Sequence, residues 1–114
     1  MLRILLVDDH VLFRKGLTAL LGSRPDIQIV GEARDGLEAI DAAREYLPDV
    51  ILMDLVMPRQ DGLAALNQIV QTTPRTRILV LTSFAEADKV LPALKAGAAG
   101  YLLKDSSPQD LLKA

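Results

Sequence analysis

Asp8 and Asp9, Asp54, Thr82 and Lys104 each close a short apolar run, and their residue types make a consistent chemical set. Arg3-Ile4-Leu5-Leu6-Val7 precedes the paired acids, Val50-Ile51-Leu52-Met53 precedes Asp54, Arg77 to Thr82 ends in the hydroxyl, and Ala99 to Lys104 ends in the amine. If these runs are strands of one open parallel sheet, the polar residues all lie at carboxyl ends of strands, the edge where such folds bind ligands. If the first and third strands are also neighbours, three carboxylates converge and repel one another unless a cation lies among them. A hard divalent ion resolves this. Mg²⁺, with Mn²⁺ as its substitute, suits the site better than Ca²⁺, because one or two carboxylates, waters and a phosphate oxygen are enough for it. An ionised Asp54 could then attack a phosphoryl group and form an acyl phosphate. Catalysis of that step is mostly positioning and charge neutralisation over three oxygens. The cation would take one, the Lys104 ammonium another, and the Thr82 hydroxyl or a backbone N–H the third.

Each residue taken alone has a plainer reading. Asp54 could be a strand-terminal turn former, and Asp8-Asp9 a solvated turn or helix cap. Lys104 could point to water, and Thr82 is a β-branched residue of the kind strands favour. Tyr101, in an apolar strand, reads as partly a core residue. His10 is the one histidine of the chain and reads as a partly exposed residue opening the first helix. Arg14 and Lys15 read as the solvated face of that helix.

The scaffold that must hold these groups follows from spacing. Four large apolar residues in a row, Val50 to Met53, read as a strand buried on both faces, within a third strand spanning Asp49 to Leu55. The first strand is Arg3 to Val7. Phe13, Leu17, Leu20 and Leu21 mark a first helix closed by Gly22-Ser23. Ile27 to Gly31 is the second strand, and Leu37, Ile40, Ala43 and Leu47 stripe a second helix stopped by Pro48. Gly62, Leu63, Leu66 and Val70 place a third helix that ends at Thr72-Thr73-Pro74. Arg77 to Thr82 is the fourth strand, about Ala85 to Ala96 a fourth helix with Pro92 inside it, and Ala99 to Lys104 the fifth strand. Ser107, Pro108 and Asp110 then supply the N-cap, first-position proline and first-turn acid of a fifth helix that is barely begun at Ala114. Five alternations of strand and helix predict a parallel sheet covered on both faces.

The chain has 114 residues, half of them hydrophobic, which suits one domain over residues 1–114. It has no cysteine, so a thiolate metal site, a disulfide framework and sulfur redox chemistry are excluded. The net charge is −2 and the basic residues are scattered, which is not the footprint of a nucleic-acid binder. No apolar run approaches the roughly 20 residues of a membrane span, and the first residues lack the layout of a signal peptide. The expectation is a soluble cytoplasmic protein with no membrane partner.

Four segments resemble, in order and spacing, the receiver domain of bacterial two-component response regulators. They are Leu5-Leu6-Val7-Asp8-Asp9-His10; Asp54-Leu55-Val56-Met57-Pro58 with Asp61-Gly62; Leu81-Thr82-Ser83; and Gly97-Ala98-Ala99-Gly100-Tyr101-Leu102-Leu103-Lys104. The Asp-Asp-His start and the Leu-Leu-Lys-Asp ending look most like the NarL/FixJ (LuxR-type) branch. The resemblance implies a flavodoxin-like, CheY-like α/β sandwich with strand order 2-1-3-4-5. It implies that Asp54 accepts a phosphoryl group from a phosphohistidine on a sensor histidine kinase. It also implies that Asp9 and Asp54 ligate Mg²⁺, that Asp8 acts mainly through a metal-bound water, and that the Val56 carbonyl completes the set. Thr82 and Lys104 match the family's hydroxyl and lysine, and Tyr101 its switch aromatic, which turns inward as the Thr82 hydroxyl is drawn to the phosphoryl group. Asp105 stands where many receivers have proline.

Val56 and Phe84 flank the direction from which water would attack, and apolar groups there cannot orient it, so slow self-dephosphorylation is expected. A Mg²⁺-dependent phosphatase with an aspartyl nucleophile is the nearest enzyme alternative. Such enzymes commonly carry a second acid two residues after the nucleophile, where this chain has Val56. A flavin or nucleotide carrier would want a glycine-rich loop after the first strand, and Asp8-Asp9-His10 offers none. A degenerate receiver is disfavoured by the full set of matched side chains. In the NarL/FixJ type, phosphorylation would promote self-association and free a C-terminal helix-turn-helix domain to bind DNA; that domain is expected outside this segment.

Overall fold

The computed structural model describes residues 2–54, 62–82 and 90–103. Five strands run β1 (Leu2–Val7), β2 (Ile27–Ala33), β3 (Val50–Asp54), β4 (Arg77–Thr82) and β5 (Gly100–Leu103). Between them lie α1 (Val11–Gly22), α2 (Gly36–Tyr46), α3 (Gly62–Thr72) and α4 (Val90–Ala96). All the strand pairs are parallel and the order is β2-β1-β3-β4-β5, as the resemblance implied.

Alternation along the strands splits the core in two, because successive side chains point to opposite faces. Leu5, Val7, Ile51, Met53, Ile78 and Val80 pack with Ala39, Ile40 and Ala43 of α2, Ala65, Leu66 and Ile69 of α3, and Ala93 of α4. Ile4, Leu6, Leu52 and Leu81 turn the other way, onto Leu17 and Leu21 of α1. The four-residue apolar run ahead of Asp54 is therefore explained by two-sided burial. The register places Val7 opposite Met53, so the next residue of each chain segment, Asp8 and Asp54, stands at the same level of the rim.

Local signals account for the start of α2 and the end of α4. Asp35 caps α2 by accepting the Glu38 backbone N–H at 2.9 Å, while the Glu38 carboxylate returns to the Arg34 backbone N–H at 3.1 Å. At the end of α4, Ala98 N–H reaches the Ala93 carbonyl and Gly97 N–H that of Leu94, with Gly97 at φ 119°. That is a Schellman closure, which needs a residue free to adopt positive φ.

Several expectations are corrected. Leu47 is not on the buried stripe of α2. It terminates the helix in the left-handed conformation, at φ 47°, and is exposed, as is Leu37 at the other end. β2 runs on to Ala33, past the expected end at Gly31. The pairing with β1 slips from Ile4–Ile29 to Leu5–Gly31, and this bulge re-aims the end of the strand. Tyr101 is half exposed on β5, at 50%, and is not a core residue. The expected fifth helix, the start of the fourth, and Val56, Phe84, Lys104 and Asp105 lie outside the described residues.

Candidate functional site

The rim above the carboxyl ends of β1 and β3 is where the acids meet. Asp8 extends β1 by one ladder bond, its N–H donating to the Ala33 carbonyl at 3.0 Å, so its position is set by backbone pairing to β2. The chain then turns sharply. The Asp8 Oδ1 accepts the His10 backbone N–H at 2.8 Å, a local side-chain-to-backbone turn that leads directly into α1. Asp54 is the last residue of β3. Asp8 and Asp54 are almost fully buried, at 1% and 2% exposure.

One ligand atom each from Asp8, Asp9, His10 and Asp54 lies within 4.8 Å of the others. His10 Nδ1 stands 3.0 Å from Asp8 Oδ1, 3.4 Å from Asp9 Oδ1 and 3.9 Å from Asp54 Oδ2. His10 does open the helix and is 66% exposed, as expected, but one edge of its ring faces the carboxylates. Its place among the acids could have been anticipated from its position directly after Asp9. The buried Asp9 Oδ1 accepts no hydrogen bond among the described residues. Buried anionic oxygen of this kind is costly without a compensating positive partner. Three carboxylates with one such oxygen make a fitting donor set for a hard divalent cation.

Thr82 ends β4, next to the strand of Asp54. Asp54 pairs with Leu81, and Thr82 is one residue further along, fully buried and opposite Leu103 of β5. The hydroxyl is thereby placed at the same rim as the acids. Lys104 follows Leu103 in sequence, and Val56 and Phe84 follow β3 and β4, but all three are outside the described residues.

Arg14 corrects the reading of a solvated α1 face. Its side chain is only 15% exposed. The guanidinium donates from Nη1 to the Asp8 carbonyl and from Nε to Glu32 Oε1, the latter at 3.1 Å. Lys15 is exposed, as read. Nothing in the spacing of Arg14 distinguishes it from a surface residue, because its partners are a backbone carbonyl and an acid on a different strand.

Among the described residues no helix is long and apolar enough to cross a membrane. The family model described as response regulator receiver domain matches residues 4–114. The transcriptional regulatory protein LiaR of Bacillus subtilis is 50% identical over 114 residues, covering 100% of this chain and 54% of that protein. The chain thus spans about half the length of the curated relatives it matches. A LuxR-family two-component response regulator from Aurantimonas sp. is 41% identical, with a TM-score of 0.90 over 98% of this chain and 80% of that one. The signal receiver domain of the response regulator NarL from Mycobacterium tuberculosis is 39% identical, with a TM-score of 0.88 over 98% of this chain and 90% of that one. With its parallel 2-1-3-4-5 sheet and an acidic rim, this chain belongs to the receiver domains of two-component response regulators, in the NarL/FixJ (LuxR-type) branch.

Proposed function

We propose that this domain is a phosphoacceptor switch in which Asp54 takes a phosphoryl group from a phosphohistidine of a sensor histidine kinase. The observation that carries this reading is the convergence of Asp8, Asp9 and Asp54 at one rim of the sheet, with ligand atoms within 4.8 Å. A carboxylate oxygen of Asp54 forms the new P–O bond as the P–N bond breaks and the imidazole leaves with the electron pair. Asp9, Asp54 and the Val56 carbonyl would hold Mg²⁺ or Mn²⁺, with Asp8 acting through a metal-bound water. When bound, the ion neutralises charge on a phosphoryl oxygen.

The remaining roles rest on sequence position and on family membership. Thr82 and Lys104 hold the other phosphoryl oxygens. Thr82 moves toward the phosphoryl group, and the half-exposed Tyr101 ring then has an inward position to take, which shifts α4 and β5. Val56 and Phe84 leave the acyl phosphate without a residue that can aim water at it, so the phosphorylated state decays slowly. The domain acts on itself and is not a turnover enzyme. In the full-length protein, working in the cytoplasm, phosphorylation promotes dimerisation and releases an attached helix-turn-helix domain for DNA binding and transcription control. The relatives named as transcriptional regulators, about twice as long as this chain, support that output.

The test is to incubate the protein with acetyl phosphate and Mg²⁺ and to weigh it intact beside Asp54→Asn. A gain of one phosphoryl mass that the variant lacks, persisting without continued release of phosphate, is the expected result. No gain, or equal gain in the variant, overturns the reading, and steady phosphate release would point to the phosphatase alternative.

A further inference from the structure

Arg14 touches both ends of the turn that carries the acids. Its backbone N–H donates to the His10 carbonyl at 3.0 Å, opening α1, and its guanidinium reaches back to the Asp8 carbonyl. The same guanidinium is held from the other side by Glu32, the residue before Ala33, whose carbonyl receives the Asp8 N–H. A closed ring results: Asp8 to β2 through its N–H, β2 to Arg14 through Glu32, and Arg14 to Asp8 through its carbonyl. The Asp8 carbonyl belongs to the peptide plane that joins Asp8 to Asp9. Fixing that plane fixes the direction in which Asp9 leaves the main chain.

We infer that Arg14 is a positioning residue for the divalent cation, acting through the Asp8–Asp9 peptide, with Glu32 as its anchor and charge partner. The inference rests on the cation reading above. Planar guanidinium geometry suits the task, because one side chain can donate to a carbonyl and a carboxylate in fixed relative directions. The pairing with Glu32 also matters electrostatically. An uncompensated positive charge beside the acids would oppose cation entry, whereas the ion pair leaves their field nearly intact.

Geometry and charge therefore predict opposite signs on substitution. Arg14→Gln removes a positive charge from beside three carboxylates, so by charge alone it tightens cation binding. By loss of positioning it weakens binding, on the order of tenfold, the scale of effect seen when a group supporting a metal ligand is removed. Arg14→Lys keeps the charge but cannot span both acceptors in the same way, so it is expected to weaken binding severalfold and fail to rescue.

The experiment measures Mn²⁺ dissociation constants of the whole domain by the electron paramagnetic resonance signal of free Mn²⁺, for wild type, Arg14→Gln and Arg14→Lys. Each protein is studied well below its melting temperature and checked by circular dichroism. A purely structural arginine would lower the melting temperature without moving the constant of the folded protein. Weaker binding in both variants supports the assignment. Equal or tighter binding by folded Arg14→Gln overturns it while leaving the cation reading intact. If that variant does not fold, unchanged binding by Arg14→Lys overturns it instead. If the wild type itself binds no Mn²⁺, the cation reading fails and this assignment falls with it.

Discussion

Replacing Asp8 with asparagine should make the metal-free protein more stable, although it alters a residue buried to 1% exposure. Asparagine is nearly isosteric and its Oδ1 can still accept the His10 N–H that closes the turn, so the chief change is one negative charge. Asp8, Asp9 and Asp54 offer atoms within 4.8 Å of one another. Two unit charges at that distance repel by about 1 kcal/mol under water-like screening and about 3.5 kcal/mol at an effective dielectric of about 20. Asp9 is partly exposed, so its pair with Asp8 sits near the lower figure; Asp54 is buried, so its pair sits nearer the higher one. Against this, a neutral acceptor holds the His10 N–H and the His10 ring Nδ1, 3.0 Å away, less strongly, by about 1 kcal/mol each. The net expectation is a gain of about 2 kcal/mol, or a melting temperature higher by roughly 8 °C in a domain of this size. The assay is denaturant unfolding in EDTA and again in excess Mg²⁺. In EDTA the variant should be the more stable. Mg²⁺ should then raise the wild type, by about 2.7 kcal/mol at a hundredfold excess over its dissociation constant, and raise the variant less. A variant no more stable than wild type in EDTA would refute the claim that these carboxylates repel one another at close quarters.

Three other substitutions test separate parts of the account. Gly97→Ala places a methyl group 3.0 Å from a Val70 methyl, on a backbone at φ 119°. It should destabilise by about 2 kcal/mol in urea unfolding, and an unchanged midpoint would count against the closure of α4 described above. Leu47→Gly relieves a left-handed leucine whose side chain is exposed, so it should stabilise by about 0.5–1 kcal/mol; a lower midpoint would contradict that. Val56→Asn supplies a polar group able to orient water near the acyl phosphate. It should speed loss of the phosphoryl group about tenfold while leaving its Mg²⁺-dependent uptake intact, and a decay rate equal to wild type would contradict the proposed role of Val56.

The parts of this molecule that were legible in the sequence are those specified by periodicity and by local signals. The run Val50 to Met53 announces a strand buried on both sides, and Leu17 and Leu21 announce the face of α1 that covers it. The pair Asp8-Asp9 and Asp54 could be placed at one rim because each directly follows such a run, and the register of the strands brings Asp8 and Asp54 level. What spacing does not encode is long-range polar contact. The bond from Arg14 to Glu32 depends on β2 bulging and continuing to Ala33, and a helix-face pattern shows Arg14 only as a charged residue among apolar ones. Leu47 reads as one more turn of the α2 stripe because it is an apolar residue at the right interval. Leu47 instead ends α2 in the left-handed conformation, and its carbonyl accepts from Arg3 Nη1 at 3.1 Å. Tyr101 reads as partly core because its strand neighbours are apolar. It lies on β5, an edge strand, with its side chain half exposed.

In the proposed switch one particular carboxylate, that of Asp54, becomes an acyl phosphate. The most direct measurement is to treat the acetyl phosphate-incubated protein with borohydride, which reduces an aspartyl phosphate to homoserine, and to locate the change by peptide mass spectrometry. Homoserine at position 54, dependent on Mg²⁺ and absent when EDTA is added, is the predicted result. Homoserine at Asp8 or Asp9 instead, or none at any aspartate, would contradict it.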